Sequence, residues 1–281
     1  MFTINAITVD VEDWAQSTLN PEYPLSSRFV ESTREMLELF ERHRVKATFF
    51  VLGLAAQKAP GLVREIHRRG HEIQSHGFGH RSLFSLTRSE LKADLERSKK
   101  LLEDTVGEAV TGYRAPSFSV TTETLWALDV IFECGFTFDS SIFPVKTARY
   151  GIDGAPRVPH WLETPAGNRL LELPVASARL LGRTLPGGGG GYLRLLPYAL
   201  TQCGVRQLNR SGHPATLYLH PYELDVREML EVRGVPWMLR AQQGLGRSGV
   251  AGKLNRLLAE FEFTTVTRAM ASCGDLPRFR H

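Results

Sequence analysis

Two histidines four residues apart are the first indication of chemistry in this sequence. His76 and His80 stand in the stretch EIQSHGFGHRS, with Gly77 and Gly79 between them. Two imidazoles at that spacing can converge on one point, and the glycines allow the backbone to bend so that they do. The pair alone fits a structural role as well as a ligand role, so any further partners must come from elsewhere in the chain.

Ionisable side chains stand at the ends of five predicted strands. They are Asp10, Glu12 and Asp13 after AITV, His76 and His80 after HEIQS, Arg114 after AVTGY, Asp139 after FTF, and His220 after ATLYL. In parallel α/β folds the carboxyl ends of the strands share one face, and the chemistry is located there. We therefore expect these side chains to form a single site.

Two imidazoles with a group of carboxylates form a ligand set that suits zinc or another divalent first-row metal. Three protein ligands leave a coordination position for water, whose pKa such a metal lowers toward roughly 7. A further carboxylate can then act as general base, and a more distant histidine can act as acid for the leaving group. This inventory predicts metal-assisted hydrolysis of an amide or an ester.

The elements that position these residues alternate between strand and helix in the first 145 residues. Strands are predicted at NAITVDV, KATFFVLG, HEIQSH, AVTGY and FTFDSSI, and helices at SSRFVESTREMLELFERHRV, APGLVREIHRRG, TRSELKADLERSKKLLEDTVG and TTETLWALDVIFECG. The third helix begins with a capping box from Thr87 to Glu90. Strands that alternate with crossover helices indicate parallel pairing, and hence a barrel or a doubly wound sheet.

The second half of the chain has a different composition. Residues from about 146 to 200 are rich in Pro and Gly, which predicts an insertion of short strands and loops. Five consecutive glycines at positions 187–191 lack the G-K-[ST] ending of a phosphate loop, so we expect a flexible rim there. PATLYLHPYEL then predicts a buried strand. We interpret 1–281 as one domain, with 1–145 as the motif-bearing half and 146–281 as the insertion and the completion of the barrel.

Composition excludes several classes of protein. The formal charge of +4 comes from 34 basic and 30 acidic residues with no long run of one sign, which argues against a nucleic-acid partner. Cys134, Cys203 and Cys273 form no C-x-x-C pair, which argues against a disulfide framework and favours a reducing compartment. The sequence shows neither a signal peptide nor a transmembrane segment. We expect a cytoplasmic protein, with attachment at the inner membrane as an open alternative.

The motifs together resemble the polysaccharide deacetylases of carbohydrate esterase family four, the NodB homology domain. VDVED, SHGFGH, RAPSFS, FDSSIF and LYLH occur in the family's order and approximate spacing. TVDVEDW, YRAPSFSV, DSSIFP, GGGGGYLRLLPY and YLHPYELD are similar to the deacetylases of exosortase-associated exopolysaccharide clusters. The resemblance implies an α/β fold, a distorted (β/α)7 barrel, and hydrolysis of acetyl groups from N-acetylated sugars.

The resemblance also implies the metal ligands and the base. Asp10 matches the catalytic base, and His76 with His80 match the metal histidines. The family usually places two adjacent aspartates here, whereas this chain has Asp10, Val11, Glu12 and Asp13. Side chains alternate along a strand, so Asp10 and Glu12 share a face. Because some members of the family use a D-x-D version of this motif, the resemblance implies Glu12 as the third ligand, with Asp13 as the alternative.

The remaining roles follow from the other motifs. Arg114 matches the arginine that orients the base, and His220 matches the general acid. Asp139 is expected to raise the pKa of that imidazole and to orient it. The substrate-binding loop is expected at Pro116, Ser117 and Phe118, with a backbone N–H near Ser117 holding the oxyanion. The family's aromatic residue is displaced to Phe118, and no tryptophan follows Asp139, so the substrate pocket departs from the usual pattern.

These residues predict a hydrolase that removes N-acetyl groups from a polysaccharide or its precursor. The expected cofactor is Zn²⁺, with Co²⁺, Ni²⁺ or Fe²⁺ as alternatives, and the expected partner is an N-acetylated glycan. Two other hypotheses stay open: an allantoinase-like hydrolase of a cyclic amide, and a catalytically silent carbohydrate-binding barrel. The sugar, the polymer length and the oligomeric state are not determined by the sequence.

Overall fold

The computed structural model describes residues 3–147, 149–232 and 234–280. The strands are β1 (Asn5–Val11), β2 (Thr48–Val51), β3 (Glu72–Ser75), β4 (Gly112–Tyr113), β5 (Phe138–Asp139), β6 (His160–Glu163), β7 (Arg169–Glu172), β8 (Ser177–Leu180), β9 (Arg183–Pro186), β10 (Thr216–Leu219), β11 (Phe263–Thr264) and β12 (Arg278–Arg280). The helices are α1 (Trp14–Thr18), α2 (Arg28–Arg42), α3 (Gly53–Lys58), α4 (Pro60–Arg68), α5 (Arg88–Val106), α6 (Ala127–Glu133), α7 (Gly190–Leu195), α8 (Tyr198–Arg210), α9 (Glu228–Glu231), α10 (Trp237–Gly244), α11 (Arg247–Glu260) and α12 (Val266–Ala271).

Seven of these strands form a parallel ring in the order β10-β1-β2-β3-β4-β5-β7. The chain just after β7 closes the ring, because Val175 forms a parallel bridge with Thr216 on β10. The N–H of Ala176 donates to the carbonyl of Thr216 at 2.8 Å. The predicted α/β fold with parallel strands is confirmed, and the ring is the distorted (β/α)7 barrel that the resemblance implied.

Apolar helix faces cover the outside of the barrel. β1 is buried along its whole length, and α2 buries Phe29, Met36 and Phe40 on one face. Each such side chain contributes about 1.5–3 kcal/mol when it leaves water. The predicted capping box of α5 is present, because the Thr87 hydroxyl accepts from the Glu90 N–H while the Glu90 carboxylate accepts from the Thr87 N–H. Among the described helices, none has both the length and the apolar character needed to cross a bilayer.

Residues 146–200 contain the predicted short strands and loops. β6 pairs with β7 in antiparallel orientation, and β12 from the end of the chain adds to the outer edge of β6. β8 and β9 form a separate antiparallel hairpin. The insertion therefore extends one side of the barrel and carries one element that stands apart from its sheet.

The glycine run is held against β10 and does not form the free rim that the sequence suggested. The carbonyl of Gly188 accepts from the N–H of Tyr218 at 2.8 Å, and Gly189 forms a parallel bridge with the same residue. Gly189 has φ +125°, and a Cβ there would lie 1.8 Å from the Tyr218 carbonyl oxygen. Only glycine allows this approach, and the partner strand is invisible from local sequence.

Replacing Gly189 with alanine should therefore destabilise the fold. The new Cβ meets a backbone oxygen of a central strand, and the φ is unfavourable for an L-residue, so we expect the free energy of unfolding to fall by about 3 kcal/mol. Urea denaturation followed by circular dichroism measures this. Gly191→Ala is the control: its Cβ has no neighbour closer than 3.8 Å, and it should be neutral or slightly stabilising. Equal stability of the two variants would contradict the close approach.

Candidate active site

The side chains singled out in the sequence lie at the carboxyl ends of five barrel strands. Asp10 is the penultimate residue of β1, and Glu12 comes directly after that strand. His76, Arg114 and His220 come directly after β3, β4 and β10, and Asp139 is the last residue of β5. Most of them are almost completely buried, and His220 keeps some exposure. The fold thus brings together residues that are separated by up to 210 positions in the chain.

Glu12, His76 and His80 form a candidate metal-binding triad. One ligand atom from each lies within 4.8 Å of the others. Glu12 Oε2 is 2.7 Å from Nε2 of His80 and 3.5 Å from Nε2 of His76. Nδ1 of His76 donates to the carbonyl of Arg114 at 2.8 Å, which turns its Nε2 toward Glu12. Among the described residues Glu12 Oε2 has no partner with hydrogen-bond geometry, so a buried oxygen is available to a cation.

The charge of Glu12 is stabilised despite its burial. Desolvation would raise the pKa of this carboxyl, but the imidazoles of His80 and His76 hold the pKa well below its ordinary value. The group is therefore ionised at neutral pH. An ionised carboxylate with two imidazole nitrogens is a donor set that zinc and similar ions accept.

Asp13, the alternative third ligand, is used in another way. It caps α1, where its carboxylate accepts from the N–H of Ala15 at 3.1 Å. The second oxygen accepts from the N–H of Ser26 at 2.9 Å and from the Ser26 hydroxyl. With its oxygens occupied by these donors, Asp13 lies outside the triad, and the geometry favours Glu12 of the two alternatives.

A buried ion pair orients Asp10. Nη1 of Arg114 donates to Oδ1 of Asp10 at 2.7 Å and to the Thr8 hydroxyl at 2.8 Å. Nε and Nη2 of the same guanidinium donate to the carbonyl and the hydroxyl of Ser140 at 3.1 and 2.8 Å. The Arg114 side chain is fully buried and lies 4.2 Å from the ring centre of Phe50. Asp10 is thus fixed through Oδ1, while Oδ2 faces the interior of the site.

His220 lies between two acids at the end of β1, Asp10 and Glu12, and a third acid, Glu223. Its Nε2 is 3.5 Å from Glu12 Oε1 and 3.9 Å from Asp10 Oδ2, and its Nδ1 is 3.7 Å from Glu223 Oε1. The ring stacks on Tyr222 with 4.8 Å between ring centres. Burial would lower the pKa of His220, but Glu223, Glu12 and Asp10 together raise it to about 9.

The expectation that Asp139 orients His220 is wrong. Asp139 accepts from the hydroxyl and the N–H of Ser141, at 2.6 and 3.2 Å, and it pairs with Glu172 of β7. Glu223 lies beside the imidazole in its place, and the Glu223 carboxylate also accepts from the backbone N–H of His220 at 3.1 Å. The sequence signal for this role was the position of Glu223 three residues after His220, because that spacing closes a short 3₁₀ turn on His220.

Asp139 and Glu172 form a buried carboxyl pair behind the site. Burial raises the pKa of Asp139 to about 6, and burial with the charge of Asp139 raises the pKa of Glu172 well above its ordinary value. The Ser141 hydroxyl that binds Asp139 also accepts from the N–H of Ala115 at 2.7 Å. The pair therefore supports the loop that begins at Pro116.

The predicted substrate loop lies at the mouth of the site. Pro116–Phe118 forms a 3₁₀ turn in which Ser117 and Phe118 have φ of 55° and 50°. Left-handed conformations of such residues cost about 1–3 kcal/mol each and tend to occur at functional sites. Phe118 packs edge-on against Tyr218, with 4.9 Å between ring centres. A cleft of about 230 Å³ is lined by this loop, the triad, Asp10 and His220, with Arg149, Tyr150 and Tyr222 at its wall.

Comparison with known proteins agrees with this geometry. Residues 17–138 match the polysaccharide deacetylase family, and residues 140–271 match a domain of unknown function, DUF3473. Residues 17–138 are thus similar to the polysaccharide deacetylases. A peptidoglycan-N-acetylglucosamine deacetylase of Bacillus cereus is 32% identical over 104 residues, which cover 37% of this chain and 38% of that relative. The chain thus spans less than two fifths of the length of this curated relative.

Solved structures share the fold of this chain over almost its whole length. A Mycobacterium smegmatis structure assigned to the polysaccharide deacetylases superposes with a TM-score of 0.63 at 22% identity, covering 96% of this chain and 89% of that one. PuuE allantoinase superposes with a TM-score of 0.61 at 16% identity and the same coverage. At these identities the likeness concerns the fold alone.

The buried carboxyl pair makes a prediction about pH. Both groups hold their protons more tightly in the folded than in the unfolded chain, so the free energy of unfolding should fall as pH rises from about 4 through 6 and beyond. Glu172→Gln removes one of these acids, and its stability relative to the natural chain should improve by about 1 kcal/mol between pH 5 and pH 8. Urea denaturation of chelator-treated protein at several pH values measures the difference.

Glu22→Gln, an exposed carboxylate exchange, is the control and should show no such trend. A stability difference for Glu172→Gln that stays constant with pH would refute the tightly held proton.

Proposed function

We propose that this protein is a metal-dependent deacetylase that hydrolyses N-acetyl groups of an N-acetylhexosamine-containing polysaccharide or its precursor. The observation that carries the proposal is one cleft that holds the Glu12–His76–His80 triad, Asp10 and His220 together. The similarity of its first half to a peptidoglycan-N-acetylglucosamine deacetylase supports the substrate class.

The donor set of the cleft fits a divalent ion. Glu12 Oε2 and the Nε2 atoms of His76 and His80 would hold it, and Zn²⁺ is the first choice for two imidazoles and a carboxylate, with Co²⁺, Ni²⁺ or Fe²⁺ as alternatives. When bound, such an ion polarises a carbonyl oxygen and lowers the pKa of coordinated water. Its place beside Asp10 and His220 would put this chemistry next to a base and an acid.

Two side chains of the cleft then each carry out one of the proton transfers of amide hydrolysis. Asp10, fixed by Arg114 through Oδ1, takes the proton of the attacking water on Oδ2. His220, whose positive charge is favoured by three neighbouring carboxylates, gives a proton to the amine nitrogen as the carbon–nitrogen bond breaks. The products are acetate and a free amino sugar. A backbone N–H of the loop at Ser117 stabilises the oxyanion, a contact worth about 3 kcal/mol.

We extend the proposal to exopolysaccharide biosynthesis in an exosortase-associated system, with the cytoplasm as the compartment. The motifs TVDVEDW and GGGGGYLRLLPY support the association. The three cysteines are free thiols in the structure, which agrees with a reducing environment. The triad argues for a metal-dependent amidase over an allantoinase-like activity that dispenses with the ion.

Acetate release from N-acetylglucosamine oligomers tests the proposed function. The purified protein should release acetate, lose this activity after treatment with a chelator, and regain it when Zn²⁺ or Co²⁺ is added back. Activity that persists without metal would favour the cyclic-amide alternative. Tight glycan binding without acetate release under all conditions would favour the silent carbohydrate-binding barrel.

The Asp10→Asn variant tests whether Asp10 acts as the base or as a metal ligand. Asparagine keeps the size of the side chain but cannot take a proton, so we expect turnover to fall about a thousandfold with metal content nearly unchanged. Metal analysis and acetate release on the same sample measure both. Glu12→Gln is the matched comparison and should lose the metal as well as turnover, whereas Asp13→Asn should keep the metal.

Because Asp10 partners a buried arginine, circular dichroism must first show that the Asp10→Asn variant is folded. Loss of metal from this variant, with retention by Glu12→Gln, would show that the roles of base and ligand are exchanged.

A further inference from the structure

A long stretch of the chain carries positive charge only. Residues 173–222 contain no Asp, Glu or Lys, and every one of the chain's 30 acidic residues lies outside them. Their five arginines are Arg179, Arg183, Arg194, Arg206 and Arg210. Such a one-signed stretch inside a chain of nearly balanced charge points to an anionic partner for whichever of these arginines are free.

The β8–β9 hairpin presents two of these arginines around an apolar tip. Its turn consists of Leu181 and Gly182, with φ of 48° and 78°. Leu181 is fully exposed, and Leu180 before it is 41% exposed. Two-residue turns of this type favour Asn or Gly at both positions, and leucine at positive φ is uncommon. The tip therefore exposes a large apolar side chain in a backbone conformation that disfavours it.

The cations beside the tip are unpaired. Arg179 precedes the two leucines and Arg183 follows Gly182, and both are exposed. Within the described part of the chain neither guanidinium has a carboxylate partner. Arg206 differs, because it pairs with Glu260 at 2.6 Å on another face. Arg194 is buried, and Arg210 is a further exposed arginine at the end of α8. Arg179 and Arg183 are therefore the two free cations that flank the protruding leucines.

The base of the hairpin is held firmly while the tip projects. Gln207 on α8 accepts from the N–H of Arg179 at 2.8 Å and donates to its carbonyl at 2.9 Å. Arg157 donates to the Ser177 hydroxyl at 2.9 Å and to Gln207 at 3.1 Å. These contacts fix the direction in which Leu181 points without covering it.

We propose that this hairpin docks the protein on an anionic lipid surface. Leu180 and Leu181 enter the boundary between headgroups and acyl chains, and Arg179 with Arg183 contact lipid phosphates. A fluid bilayer can enclose a narrow convex tip. A stable protein partner, by contrast, usually needs about 800 Å² from each side, far more than two leucines provide. This inference is independent of the deacetylase chemistry, because none of these residues lines the cleft.

Flotation of the full-length protein with vesicles tests the proposal. We expect binding to vesicles that contain phosphatidylglycerol, little binding to pure phosphatidylcholine, and weaker binding as salt increases. Leu181→Asn suits the turn and removes the apolar group, so it should lower the vesicle partition coefficient about tenfold. Arg179→Gln with Arg183→Gln should reduce binding to the level seen with phosphatidylcholine.

Leu230→Ser is the matched control, since Leu230 on α9 is 75% exposed and lies outside the hairpin. Its binding should equal that of the natural chain. Unchanged binding by Leu181→Asn, or a loss confined to Leu230→Ser, would overturn the proposal. So would self-association that depends on Leu181 in sedimentation velocity, because the tip would then serve a second copy of the chain. Acetate release without vesicles should be the same for all four proteins.

Discussion

The buried ion pair between Arg114 and Asp10 is the constraint on which the candidate site at the carboxyl ends of the barrel strands depends. A guanidinium with no exposure needs every donor satisfied, because an uncompensated buried charge costs several kcal/mol. Asp10 and Thr8 on β1, with Ser140 after β5, provide those acceptors. The same contacts tie the ends of distant strands together. They also leave Oδ2 of Asp10 as the free oxygen beside His220.

The pKa values of carboxyl groups within one barrel end are shifted in opposite directions by their surroundings. Two imidazoles keep the pKa of Glu12 low against its burial, whereas burial raises the pKa of Asp139, and burial with the charge of Asp139 raises the pKa of Glu172. The ionised group is the one placed to hold a cation. The Asp139–Glu172 pair acts on the site through Ser141, which supports the loop at Pro116. Burial alone would have raised all three values, so the neighbours decide the difference.

The second half of the chain builds one wall of the cleft. The glycine run brings α7 against β10 two residues before His220, and Tyr192 of that helix lies within hydrogen-bond distance of Tyr150, with 2.7 Å between the hydroxyls. Tyr150 lines the cleft beside Phe118. An insertion that looked like peripheral loops thus contributes directly to the surroundings of His220 and of the loop at Pro116–Phe118.

The sequence by itself determined the order of the barrel strands and longer helices in the first 145 residues, the capping box of α5 and the group of ionisable residues at strand ends. These features depend on local periodicity and on the rule that parallel strands share one carboxyl end. Only the tertiary structure favours Glu12 over Asp13 as a candidate ligand, places Glu223 where Asp139 was expected beside His220, and shows why the glycines are needed. Each of these depends on a contact whose geometry the local sequence pattern does not specify. Asp13 caps α1 and binds Ser26, and Asp139 lies against β7. Glu223 returns to His220 in a short turn, and the glycines pack against β10. Short-range pattern places a side chain on a strand end, but the three-dimensional packing of distant segments determines which neighbour it meets there.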